Sequence, residues 1–222
     1  MRIGILGAGP VGEALARLAV EQGHEVKIGS RHPARLVDLA NAIGCVVGTP
    51  DEAAAFGEIV VAAVPLGAID SLPRVEIGKK IVIDAMNYYP ERDGRIASLD
   101  ARTTTTSELV AARLPEARIV KAFNAILARD LPLGARPPTG PGRRALPIAG
   151  DDAASKEVVA RLHDQFGFDV VDTGVLVDSW RFERAKPAYC IPLDAGGLQA
   201  AVNAATREGE LPEGSWRRLP AS

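Results

Sequence analysis

Residues 1–35, MRIGILGAGPVGEALARLAVEQGHEVKIGSRHPAR, decide the fold. Arg2–Leu6 is a short apolar run, Gly7-Ala8-Gly9-Pro10-Val11-Gly12 follows without a break, and residues 13–20 carry apolar side chains at helical spacing. The pattern predicts strand, glycine turn and helix, with a second strand at Glu25–Gly29. Each glycine has its own physical reason. Gly7 lets the chain turn sharply out of the strand, Gly9 lets backbone approach a pyrophosphate, and Gly12 lets the helix pack closely on the strand. The helix N-terminus offers unpaired N–H groups and a positive dipole end to the same phosphates. Gly7, Gly9, Pro10, Val11 and Gly12 are therefore the expected dinucleotide contacts.

The residues after the second strand choose the nucleotide. An NAD site usually has Asp or Glu there to bond the ribose 2′-OH. This chain has Gly29-Ser30-Arg31-His32-Pro33-Ala34-Arg35 instead. Ser30 can donate a hydroxyl hydrogen bond, and Arg31 and Arg35, four apart at the start of a helix expected over 31–42, can face one anion. The 2′-phosphate of NADP is that anion; the competing description is a solvated basic loop. His32 reads as an exposed loop histidine.

Composition narrows the class. With 222 residues, 47% hydrophobic and 24% charged, the chain can bury a proper core. A formal net charge of -2 gives no reason to expect nucleic acid or anionic membrane as a partner. The N-terminus is already a core strand, and no apolar run reaches the ~18 residues of a membrane helix, so cytoplasmic placement is expected. Cys45 and Cys190 have no CxxC or Cys/His neighbours, so both read as small buried apolar side chains and no metal is expected.

Further along, strands are expected at 44–47, 58–64, 80–85, 118–124, 145–149 and 168–171, with helices at 51–56, 106–114, 152–166, 177–186 and 195–206. The result is an α/β fold: a Rossmann-type, doubly wound, mostly parallel sheet with a small C-terminal α/β extension. Residues 1–134 are read as the dinucleotide-binding core and 145–222 as a smaller unit. Between them, 135–144 (ARPPTGPGRR) is a connecting loop because its prolines and glycines forbid regular structure. Arg143 and Arg144 at its end read as a solvated tail or as a contact for an anionic substrate. Residues 211–222 are expected to fray, and the alanine-rich 195–206 helix offers a homodimer contact.

At the sheet's carboxyl edge, Val64, Pro65 and Leu66 are candidates to touch the cofactor, and Asn87, Tyr88 and Tyr89 to line the site. Thr105 and Glu108 have the spacing of a capping box. Lys121 is a charge inside an apolar strand and must find a partner or reach water. His163, near the end of its helix, reads as structural, in a place where the dipole favours a cation.

The chain resembles the NADP-dependent oxidoreductases that exchange hydride with coenzyme F-420, a deazaflavin, and the related NADPH-binding domain of membrane metalloreductases. The resemblance rests on GAGPVG at 7–12, IGSR at 28–31, VKAFN at 120–124, AGDD at 149–152 and VDTGVL at 171–176. It implies that Ser30, Arg31 and Arg35 bind the 2′-phosphate. It also implies that Val64 and Pro65 pass beside the nicotinamide, and that Ala122 and Asn124 lie near the reacting face. Segments 178–192 and 87–93 depart from the deazaflavin enzymes, and a second substrate would be chosen there.

Ring-to-ring hydride transfer to a deazaflavin or flavin needs stacked rings and no strong side-chain acid. Reduction of a small imine or carbonyl needs a positioned donor. Only Lys121, Tyr88 and Tyr89 qualify as such donors. A non-catalytic NADP(H) sensor is the third reading.

Overall fold

A computed structural model describes residues 1–136, 142–212 and 214–217. Eight strands form one sheet: β1 (Arg2–Leu6), β2 (Glu25–Gly29), β3 (Val46–Gly48), β4 (Ile59–Ala62), β5 (Ile81–Asp84), β6 (Arg118–Lys121), β7 (Ala145–Gly150) and β8 (Asp169–Asp172). Their spatial order is β3-β2-β1-β4-β5-β6-β7-β8, and the first six run parallel. That is the doubly wound dinucleotide-binding order, with its switch point between β1 and β4. β7 joins β6 antiparallel through only two residue pairs, Val120 with Gly150 and Lys121 with Ala149, and β8 then runs parallel to β7. Pro147 has no N–H to give, and the β6–β7 ladder stops short of it.

Helices cover both faces. α1 (Pro10–Glu21) and α5 (Ala153–Gln165) enclose one apolar cluster containing Ile5, Leu15, Ile83, Val159 and Phe166. The chain also forms α2 (Val37–Ile43). α3 (Pro50–Phe56) and α4 (Thr106–Arg113) cover the opposite cluster around Val60, Val82 and Val110. α6 (Ala195–Ala204) packs over β7 and β8. The cap signals work as read: Thr105 and Glu108 close a reciprocal capping box on α4, and Thr49 and Glu52 do the same on α3.

Four readings of the sequence change. Residues 31–42 are not one helix, because the position before Pro33 disfavours helical dihedrals; His32 sits at φ -133, and a 3₁₀ turn, Pro33–Leu36, precedes α2. Residues 177–186 hold a 3₁₀ segment, Leu176–Phe182, after which Glu183 is drawn into extended backbone where its carboxylate binds Thr106. Cys190 is buried, but Cys45 is only half-buried. The C-terminal stretch does not simply fray: Leu211 N–H bonds Ala185 O, and buried Trp216 packs edge-on to Tyr189 at 5.4 Å. Residues 213 and 218–222 lie outside the described residues, as does 137–141 in the connecting loop.

Candidate nucleotide and substrate site

The three turn glycines differ in what a Cβ would meet. At Gly7, φ is +111 and a Cβ would lie 2.6 Å from Ala63 O; at Gly12 it would lie 2.1 Å from Gly7 O. These two positions are closed by the fold itself. At Gly9 a Cβ would have nothing within 4 Å. The space above Gly9 is open, which fits a pyrophosphate approaching backbone at the start of α1. α1 has Gly9 as N-cap with no side-chain cap, and Pro10 occupies its first turn. Pro10 is exposed and Val11 half-buried at this edge.

At the end of β2, Ser30 N–H bonds Gly48 O, and its Oγ accepts the His32 N–H at 3.1 Å. With Oγ accepting there, the Ser30 hydroxyl still has its own proton to donate. Arg31, His32 and Arg35 are exposed. Neither guanidinium has an ion pair or side-chain hydrogen bond among the described residues. Two unpaired cations beside a hydroxyl suit a phosphate monoester, and residues 29–35 contain no Asp or Glu to bond a ribose diol. Val64, half-buried, has a side-chain carbon 3.2 Å from where a Gly7 Cβ would be, and Pro65 is exposed next to it. Leu66 is buried and belongs to the core.

The ends of β5 and β6 carry a buried polar chain. Asp84 and Lys121 are register partners on adjacent strands, and both are 0% exposed. The Lys121 ammonium donates to Asp84 Oδ2 at 3.0 Å, Met86 O at 2.6 Å and Thr106 Oγ1 at 2.8 Å. Asp84 also accepts the Met86 N–H and the Ser107 hydroxyl. Thr106 passes the chain on, donating from N and Oγ1 to Glu183 Oε1 at 2.8 and 2.7 Å. All three donors of Lys121 are engaged. Asp84 was not singled out from sequence, yet the signal was there: a carboxylate ending one apolar strand and an ammonium ending another each demand a partner.

The two tyrosines are engaged as well. Tyr88 donates to Asp100 Oδ1 at 3.0 Å and accepts the Ile96 N–H at 2.9 Å; burial, with Asp100 beside it, raises its pKa. Tyr89 shares a 2.6 Å hydrogen bond with the buried Tyr189 hydroxyl, and its ring lies between Arg92 and Arg184, at 4.8 and 4.7 Å. Asn87 donates to Asn124 O, and Asn124 donates to Asn87 Oδ1 and Phe182 O. Asn124 Oδ1 is buried with no hydrogen-bond partner among the described residues. Between Ala122, fully buried, and Asn124, Phe123 adopts φ +58 and stacks on His163 at 3.8 Å.

One expectation about charge is corrected here, and the structural reading of His163 is sharpened. Arg143 and Arg144 are not a solvated tail: each is 8% exposed, Arg143 pairing with Asp164 and Asp169 and Arg144 with Asp130. His163 is fully buried, and desolvation pushes its pKa down to about 4, so it is neutral despite the helix dipole.

Residues 2–88 match the model of a family described as NADP oxidoreductase, coenzyme F420-dependent. Over that stretch, which holds the glycine turn and the end of β2, the chain is similar to that family. A solved chain from Arthrobacter sp. FB24, described as an F420-dependent NADP reductase, is 28% identical with TM-score 0.67, over 79% of this chain and 85% of that one. Protein SMa0349 from Sinorhizobium meliloti is also 28% identical, with TM-score 0.68, covering 88% of this chain and 90% of its own. Metalloreductase STEAP3 of Rattus norvegicus is 30% identical over 197 residues, 86% of this chain but 38% of STEAP3. This chain thus spans little more than a third of that relative. Among the described residues no helix is long and apolar enough to cross a membrane.

The two segments expected to choose a second substrate, 87–93 and 178–192, converge in space. Tyr88 and Pro90 from one, and Trp180, Glu183 and Lys186 from the other, line a single cavity of about 400 Å³. Sequence reasoning marked the two segments but not their meeting, which joins residues about 90 positions apart.

Proposed function

We propose that this chain transfers hydride between NADP(H) and a deazaflavin or flavin-type acceptor by direct ring-to-ring transfer. The reading of residues 1–134 as the dinucleotide-binding core, followed by a smaller unit from 145, is part of that proposal. Bound there, NADP(H) would supply or accept a hydride, and one proton exchanged with water would complete the change at the acceptor ring. Gly7, Gly9 and Gly12, with the N-terminal N–H groups of α1, hold the pyrophosphate. Ser30, Arg31 and Arg35 hold the 2′-phosphate. Val64, Pro65, Ala122 and Asn124 border the ring and keep water from it.

One observation carries the choice of acceptor. Lys121, Tyr88 and Tyr89, the three side chains that could protonate a developing alkoxide or amine, already engage internal partners. A carbonyl or imine reductase needs such a donor aimed at substrate. Ring-to-ring exchange needs only stacking and orientation.

Stopped-flow absorbance with NADPH and coenzyme F-420 tests this on the parent, Tyr88→Phe and Tyr89→Phe. Coupled decay of both chromophores is expected, with each variant within a few-fold of the parent. A fall of about 10²-fold or more, the size a general acid contributes, with binding intact would instead indicate a carbonyl or imine reductase. Tight NADPH binding without turnover would indicate a sensor.

A further inference from the structure

We propose that the cavity between residues 88–106 and 180–211 seats the second substrate and selects a planar ring that carries a phosphate or similar anionic tail. The inference rests on the hydride-exchange reading and deepens it. The cavity opens at the sheet's carboxyl edge, where Tyr88 follows β5 and Thr106 begins α4. β5 is two strands from β1, about 10 Å at normal strand spacing, so a dinucleotide anchored at the glycine turn reaches its border. About 400 Å³ is a normal size for a small-molecule site.

Its chemistry is aromatic and basic. The half-buried Trp180 ring has the guanidiniums of Arg181 at 4.7 Å and Arg207 at 5.1 Å, and the Lys186 ammonium at 5.7 Å. Three acidic side chains line the cavity, and each has a partner: Asp100 takes Tyr88 and Arg95, Glu183 takes Thr106, and Glu210 takes Arg102. Among the described residues, five basic side chains line the cavity against these three acidic ones. Arg207 donates one bond to Arg102 O, and Arg102 one to Glu210. Each guanidinium has five N–H groups, which leaves both with donors to offer an oxyanion.

The wall is constructed with care for position. Lys186 donates to the carbonyls of Thr206, Arg207 and Gly209 at 2.8–2.9 Å, fixing the chain that carries Arg207. Arg102 occupies the left-handed position, φ +56, at the end of the one-turn helix Ala97–Asp100. Arg102 N–H bonds Leu99 O and Thr103 N–H bonds Ser98 O, a Schellman end in which glycine is the usual residue. Ala185, at φ +66, is a second strained wall residue. Non-glycine residues in this region gather at ligand-holding sites, and here an arginine stands where glycine would be easier.

The test measures binding apart from turnover. FMN and riboflavin share a ring and differ by a phosphate; each is titrated against the full chain with saturating NADP⁺, following tryptophan quenching. FMN is expected to bind roughly tenfold tighter or better, the scale of a charge-assisted hydrogen bond. Arg102→Gln and Arg207→Gln should reduce FMN to the riboflavin level, leaving riboflavin and NADPH unchanged. Arg102→Gly should do the same while keeping Tm at or above the parent's, since glycine fits that backbone; this separates lost binding from lost folding. Equal affinity for the two ligands, no FMN binding, or indifference of FMN to all three variants would overturn the assignment. Bound FMN that NADPH fails to reduce would leave the cavity standing and remove the hydride reading; reduction indifferent to Arg102 and Arg207 would do the reverse.

Discussion

The cations at the β2 end and those at the β5–β8 end are handled in opposite ways. Arg31 and Arg35 are exposed and lack partners among the described residues, whereas Lys121, Arg143 and Arg144 are buried and paired. Charge kept in water without an internal partner is inexpensive to fold and ready for a ligand. Charge taken out of water must find partners inside: Lys121 has all three donors engaged, and Arg143 and Arg144 are ion-paired, although Arg143 Nε and Arg144 Nε and Nη2 are buried without a partner among the described residues. Position relative to solvent thus separates binding cations from structural ones, which residue type alone does not do.

That contrast breaks first at Asp84. Asp84→Ala would strand the Lys121 ammonium in the core, and urea unfolding should show a loss of about 3–5 kcal/mol. NADPH affinity of the folded protein should stay within about twofold, since no phosphate contact is removed. A variant of parental stability that has lost NADPH would place Lys121 in the binding machinery.

His163 sharpens the same side. Its folded pKa, about 4, lies below the 6.5 of an unfolded histidine, so the unfolded chain takes up the proton first as pH falls. Its contribution is therefore complete above pH 6.5 and is lost between 6.5 and 4, to the extent of about 3 kcal/mol. His163→Phe should flatten this part of the stability-versus-pH curve while keeping the stack on Phe123. An unchanged acid limb would mean that other groups set it.

Arg31 is the opposite case. Arg31→Ala should weaken NADPH by about 2 kcal/mol, the scale of a charged hydrogen-bond pair, and leave NADH and Tm nearly untouched. Calorimetric titration of both nucleotides reads this directly, and equal losses for the two would remove the 2′-phosphate from the β2 end.

How much was legible follows the same division. The glycine turn, the Ser30–Arg31 pair and the capping box at Thr105 and Glu108 are local patterns, so their residues could be named from sequence. Pro33 is also a local signal: it keeps His32 out of helical dihedrals and so takes Arg31 out of the helix that the spacing suggests. The Asp84–Lys121 pair joins positions 37 residues apart through strand register, and the Thr106–Glu183 bond joins positions 77 apart. Local spacing carries no information on such pairings. The same holds for the burial of Arg143 and Arg144, whose partners sit on other elements, and for the 3₁₀ segment at Leu176–Phe182, which tertiary bonds shape.

The most direct measurement uses NADPH deuterated at nicotinamide C4 in single turnover with the deazaflavin coenzyme, followed by mass spectrometry of the reduced product. Direct transfer places the label on a ring carbon, from which it does not exchange, and near-complete recovery of deuterium in the reduced deazaflavin, for the transferred face, is the expected result. Deuterium lost to water, or NADPH consumed only with a carbonyl or imine substrate, would contradict ring-to-ring transfer.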